Sequence, residues 1–162
     1  MLIVGEYLSE KDEGEFFNSP VAHVFRGWLR QSGVAERDVQ FTTVLKRGAT
    51  LHSALTKNKA LSRKGVRSVT RGKYLLAEHF PEVEDLWSLV NASSHNVIVA
   101  LGDLSLWALT DEKSLKFARG RITSGNSAIR GRKVLPTFSP MQIMSEYSNR
   151  PILLADLGKA QR

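Results

Sequence analysis

Glu6 and Ser139 are the two side chains whose type and place first suggest chemistry. Glu6 directly follows Leu2-Ile3-Val4-Gly5, whose continuous apolar run is the kind buried on both faces of a parallel sheet. A carboxylate at such a strand end can position or activate a water molecule. Its competing use is ordinary: a loop Glu that caps a helix or pairs with one of many basic residues. Ser139 lies in the stretch 134–140, Val-Leu-Pro-Thr-Phe-Ser-Pro. That stretch reads as a short buried strand entering a Pro-bracketed loop, which can continue neither as helix nor as central strand. Ser139 and Thr43 can each hydrogen-bond a small polar ligand. Lone Ser and Thr residues more often serve structure or solvent, and no Gly-x-Ser-x-Gly elbow surrounds either one. Phe17 can stack a nucleobase, a contact worth about 1–3 kcal/mol per base, although core packing is the commoner fate of Phe. Tyr7 poses the same choice.

No metal or cofactor is expected. His23, His52, His79 and His95 show no ligand spacing, and Gly72-Lys73 lacks the phosphate-loop pattern. The chain has no Cys, which excludes disulfides, thiolate zinc sites and cysteine-held iron–sulfur clusters.

The elements that must position these residues are legible in outline. Residues 2–4, 39–45, 96–101 and 134–137 read as strands. Helical spacing of apolar residues marks 21–32 (Val21, Val24, Phe25, Trp28, Leu29), closed by Gly33. A second helix follows Pro81, a third follows Gly102-Asp103, and a last one covers 152–160 with Pro151 in its first turn. Alternating strands and helices predict a three-layer α/β/α domain spanning 1–162, with a central, mostly parallel four-stranded sheet. In such sheets the site lies beyond the carboxyl ends of the strands. Those ends are Gly5-Glu6-Tyr7, Thr43-Val44, Gly102-Asp103 and residues 137–140, and all four should converge on one cleft. Residues 46–73 are the least regular part, rich in Lys, Arg, Ser and Gly without aromatics. They read as a long, partly mobile basic loop with a short helix around 51–57.

Charge narrows the partner. The chain of 162 residues carries a net charge of +7 with 42% hydrophobic residues, which describes a folded basic protein. No acidic residue occurs between Asp38 and Glu78 or between Glu112 and Glu146, and those two windows hold 16 of the 23 basic residues. Segregated positive charge suits a polyphosphate partner, because each neutralised phosphate releases condensed counterions. Lys46, Arg47, Arg63, Lys64, Arg119, Arg130 and Arg132 are the candidate DNA contacts. The start has no basic leader pattern and no stretch reaches the roughly 20 apolar residues of a membrane span. A cytoplasmic monomer without membrane contact is expected.

The order of landmarks resembles the uracil-DNA glycosylase superfamily, nearest to its family 4 branch and to bacteriophage members of it. Residues 1–6 look like the strand entering that family's Gly-Glu-Ala-Pro-Gly motif, and Gly14-Glu15-Phe16-Phe17 like its Gly-x-Pro-Phe segment. Phe41-Thr42-Thr43-Val44 lies where the family has Thr-Asn-Val. Residues 96–107 are similar to its next strand and helix, and Arg119-Gly120 matches an Arg-Gly pair. Residues 134–140 parallel the strand and the Thr-Tyr-His-Pro loop, residues 150–160 the final helix, and residues 71–87 are similar to phage members. The resemblance implies Glu6 and Ser139 as catalytic positions and Tyr7, Phe17 and Thr43 as base-binding ones. It implies DNA, single- or double-stranded, as partner. Phage replication or host proteins are further partners it implies, and the host cytoplasm is then the compartment.

The departures fall on the chemistry. Tyr7-Leu8 replaces Ala-Pro, Thr43 replaces the base-reading Asn, and Ser139 replaces the His that would bond the departing uracil anion. The family 4 cluster cysteines are absent. The reading is a DNA-binding protein of the superfamily with reduced or lost uracil excision. Its alternatives are an active uracil-DNA glycosylase, hydrolysing the N-glycosidic bond of a flipped base in DNA repair, and a non-catalytic protein-interaction module on the same fold.

Overall fold

The four expected strands pair in parallel, and their residue parity decides which helix layer each side chain meets. The computed structural model describes residues 1–7, 19–46 and 49–162. Strand β1 (Leu2–Tyr7) leads to helix α1 (Pro20–Gln31) and strand β2 (Gln40–Leu45). Next come α2 (Leu51–Ala54), β3 (Leu55–Thr56), β4 (Tyr74–Leu75) and α3 (Phe80–Ala92). Then follow β5 (Ile98–Leu101), α4 (Asp103–Leu109), α5 (Leu115–Ala118) and β6 (Thr123–Ser124). The chain closes with β7 (Lys133–Thr137), α6 (Pro140–Ser145) and α7 (Arg150–Gln161).

The main sheet has the order β2-β1-β5-β7-β6. The first four strands are parallel, with Leu2 opposite both Gln40 and Ile98, and Ile98 opposite Val134. Ile3, Val99, Leu101 and Leu135 pack beneath Phe25 and Leu29 of α1 and Leu153 and Leu157 of α7. Leu2, Val4, Ile98, Ala100 and Val134 face the other layer, with Val83, Leu86 and Val90 of α3 and Leu104 of α4. Period-2 alternation thus feeds two cores from the buried runs of β1, β5 and β7. Helix α1 starts where Ser19 accepts a hydrogen bond from the Ala22 N–H (3.2 Å) and Pro20 fills the first turn.

One expectation needs correction. The sheet has five strands, not four. The fifth, β6, is two residues long and antiparallel to β7 (Thr123 opposite Val134), too short to show any hydrophobic period. Within residues 46–73 the described part carries short elements, and α2 falls inside the short helix expected around 51–57. Strands β3 and β4 pair antiparallel (Leu55 with Leu75, Thr56 with Tyr74), and Leu75 is fully buried. The Arg67 guanidinium donates to the carbonyls of Trp107 (3.2 Å), Thr110 (2.5 Å) and Glu112 (2.7 Å), and the Trp107 indole donates back to the Arg67 carbonyl (3.1 Å). One arginine thereby satisfies carbonyls at the end of α4 that the helix itself leaves unpaired. Its order comes from side-chain bonds to residues about 40 positions away, which local pattern does not reveal. No helix among the described residues is long and apolar enough to cross a membrane.

Candidate active site

Because β2, β1, β5 and β7 run parallel, their carboxyl ends share one edge of the sheet. Along this edge a cleft of about 560 Å³ opens, with Glu6, Asp103, Ser139 and Gln142 among its lining residues. Glu6 is 8% exposed. Its Oε1 accepts the Leu104 backbone N–H (3.0 Å) in the first turn of α4. Burial pushes the Glu6 carboxyl up from 4.5 to about 7; the Leu104 N–H pulls the other way, and the nearby Asp103 carboxylate adds to the rise. Asp103 is itself raised by burial, opposed by a hydrogen bond from the Gln142 side-chain amide (Nε2 to Oδ2, 3.1 Å).

Gly102 makes this arrangement possible. It sits between β5 and α4 at φ +88°, a left-handed conformation that suits glycine. A Cβ there would lie 2.4–2.7 Å from the atoms of the Glu6 carboxylate. The backbone bond from Gly102 N–H to the Thr137 carbonyl (3.0 Å) fixes its position between β5 and β7.

Ser139 is the N-cap of α6. Its Oγ accepts the Gln142 N–H (3.2 Å), while the Gln142 Oε1 accepts the Ser139 N–H (2.8 Å). This reciprocal capping box, with Pro140 in the first turn, occupies one lone pair of Ser139, and its hydroxyl hydrogen has no acceptor among the described residues. Gln142 therefore links Ser139 to Asp103 through its two amide atoms. Sequence reading passed over Gln142, although Ser-Pro-Met-Gln matches the capping-box spacing. Removing the cap should destabilise the fold modestly. Ser139→Ala is expected to lower stability by about 1 kcal/mol, read from the urea midpoint; an unchanged midpoint would show that the cap contributes nothing.

The remaining candidates divide. Tyr7 is half-buried against the α3-side core, and the Thr43 hydroxyl donates to the Leu45 carbonyl (2.7 Å); neither lines the cleft. Phe17 and Arg47 lie outside the described residues. Lys46 pairs with Asp85 (2.5 Å), and Arg63 pairs with Glu84 (2.6 Å) while covering the Phe80 ring. Arg119 pairs with buried Asp156 (3.1 Å), which also accepts the Thr137 hydroxyl (2.8 Å). Its guanidinium lies over Phe138, a cleft residue, so the Arg119-Gly120 pair shapes the site from behind. Arg132 donates to the carbonyls of Val90, Ser93 and His95 at the amino edge of the sheet, away from the cleft. Arg130 occupies the left-handed turn before β7 (φ 57°), at the same far edge, and Lys64 is exposed.

No family model matches the chain. It is 28% identical over 167 residues to a type-4 uracil-DNA glycosylase of Thermotoga maritima, an alignment that spans 99% of this chain and 76% of that protein. The similarity supports the uracil-DNA glycosylase superfamily. The mostly parallel sheet with helices on both faces is consistent with that fold. An iron–sulfur cluster held by cysteines does not fit this chain, because no Cys is present to supply a thiolate.

Proposed function

We propose that the chain is a DNA glycosylase of the uracil-DNA glycosylase superfamily that excises a base slowly. The observation that carries this reading is Glu6: a buried carboxylate lining the cleft, with its pKa raised to about 7, in a chain similar to a type-4 uracil-DNA glycosylase. In hydrolysis of an N-glycosidic bond, the bond between base and C1′ breaks and the base departs with its electron pair. Water adds to C1′ and loses a proton. Glu6 in its ionised form orients that water, accepts the proton and offsets the positive charge developing on the sugar. A base seated against Phe138 would meet the Ser139 hydroxyl, which can donate to an oxygen of the departing anion. A neutral, short donor stabilises this anion less than an imidazole. Losing one well-placed donor costs about 10²–10³ in rate, which is the basis for slow turnover. The bacteriophage-type assignment rests on residues 71–87 and belongs to this proposal.

Single-turnover excision on uracil-containing single- and double-stranded DNA tests it, with the Thermotoga enzyme alongside. The expected result is slow release of uracil, rising with pH through about 7 as Glu6 ionises, and accelerated by Ser139→His. Excision as fast as the Thermotoga enzyme's would remove the claim of slow turnover. Absence of abasic product from both wild type and Ser139→His would remove the enzymatic reading.

A further inference from the structure

The cleft is electrically two-sided. Glu6, Asp103 and Glu146 bring carboxylates to it, whereas Lys73, from the segment between β2 and α3, brings a positive charge. A nucleotide carries a negative phosphate on one end and a largely neutral base on the other. Placed with its phosphate over Glu6 and Asp103, it would meet like charge in a partly desolvated site. Placed the other way, the phosphate meets the basic wall and the sugar comes to lie above Glu6.

That wall is pre-formed. Residues 69–73 fold back in a tight turn: Lys73 N–H donates to the Thr70 carbonyl (2.9 Å), and Val69 N–H donates to the Lys73 carbonyl (2.8 Å). Gly72 takes the left-handed position this turn requires (φ +66°). Val69 anchors the turn in the core at 5% exposure, and the neighbouring Arg67 is tied to α4, whose first turn holds Glu6. The turn and the carboxylate are therefore fixed to the same short helix. At the tip Arg71 and Lys73 are exposed, and neither side chain forms an ion pair or hydrogen bond with a described residue. Lys46, Arg63 and Arg119 each hold a carboxylate instead. Cations already paired gain little from a phosphate, since the existing partner must first be released; unpaired ones on an ordered turn meet it without that cost.

We propose that the turn at residues 69–73 is a phosphate grip, in which Lys73, with Arg71 beside it and the Thr70 hydroxyl within the cleft, binds the backbone phosphate of the nucleotide whose sugar faces Glu6. The grip orients the nucleotide and contributes sequence-independent affinity. The inference rests on the DNA glycosylase reading above and adds the residues that hold the strand, which the charge windows alone did not separate from paired cations.

The test is the salt dependence of DNA binding, measured by fluorescence anisotropy. The probe is a labelled single-stranded 11-mer with one central 2′-fluoro-deoxyuridine, whose glycosidic bond resists hydrolysis. Each phosphate contact on a single strand contributes about 0.7 to the slope of log K against log[salt]. The double variant Arg71→Gln/Lys73→Gln is expected to lower the slope by about 1.4 and weaken binding by about tenfold at moderate salt. Lys133→Gln, at the amino edge of β7, should leave the slope unchanged. Circular dichroism melting checks that both variants fold. A wild-type slope retained by the double variant overturns the grip while leaving the glycosylase reading intact, and so does an equal loss in Lys133→Gln. No binding of wild type to the probe at low salt overturns both.

Discussion

Glu6→Gln is expected to abolish excision and, at the same time, to make the protein more stable than wild type at alkaline pH. The two effects have one cause. In the folded chain the carboxyl titrates at about 7, against an ordinary value of 4.5, because burial penalises its charged form more than the Leu104 N–H favours it. Between those values the folded state holds a proton that the unfolded state has lost. Stability therefore falls as pH rises from about 4.5 to about 7 and stays lost above that. The loss is about 3 kcal/mol at pH 8. Glutamine keeps the amide oxygen that Leu104 needs and has no charge to desolvate. Urea unfolding at pH 5 and pH 8 should show near-equal stabilities at the lower pH and a variant advantage at the higher one. Parallel pH profiles for the two proteins would show that Glu6 is not held against its own ionisation. A stability gain coupled to loss of activity is the signature of a group retained for chemistry rather than for the fold.

Gly102→Ala should show the opposite pattern, with activity lost well beyond the loss of stability. At φ +88° and ψ −179° any L-residue is strained, by about 1–3 kcal/mol. The new methyl would also meet the Glu6 carboxylate at 2.4–2.7 Å. Those atoms are the far end of a flexible side chain, so the fold can yield by swinging Glu6 aside. That movement carries the carboxylate away from its Leu104 donor and from the water it must hold. A displacement of about 1 Å at a reacting group costs on the order of 100-fold in rate. The measurement is single-turnover excision beside urea unfolding. A variant that loses stability yet excises at the wild-type rate would remove Glu6 from the chemistry. The close approach of Gly102 to Glu6 also ties β5 to the site: the carboxylate at the end of β1 fits only because its neighbour strand ends in a residue without a side chain.

Residues 46–73 show why part of the molecule was hard to read. Their apolar residues are few and follow no sustained helical or strand period, so local pattern predicts a long, partly mobile loop with a short helix around 51–57. The order comes from Arg67 reaching the end of α4, and from β3 and β4, which are only two residues each. The seven basic candidates teach the same lesson from another side. Composition marks a basic window but not which cation inside it already has a partner. Lys46 meets Asp85 and Arg119 meets Asp156, 39 and 37 residues away, while Lys73 meets no carboxylate among the described residues.

The order of strand and helix patterns along the chain sets the frame and the address of the site. Short apolar or β-branched stretches alternating with helical patterns point to strands of a covered parallel sheet, and parallel strands bring their carboxyl ends to one edge. Glu6 and Ser139 come together there for that reason, although 133 residues separate them. What these residues can do depends on the groups that the fold packs around them. The pKa of Glu6 depends on how deeply α4 covers it, the hydrogen bonds of Ser139 depend on Gln142 and through it Asp103, and the polarity of the cleft depends on which cations remain unpaired. Desolvation and ion pairing are set by neighbours distant in the chain, and hydrophobic periodicity carries no record of them.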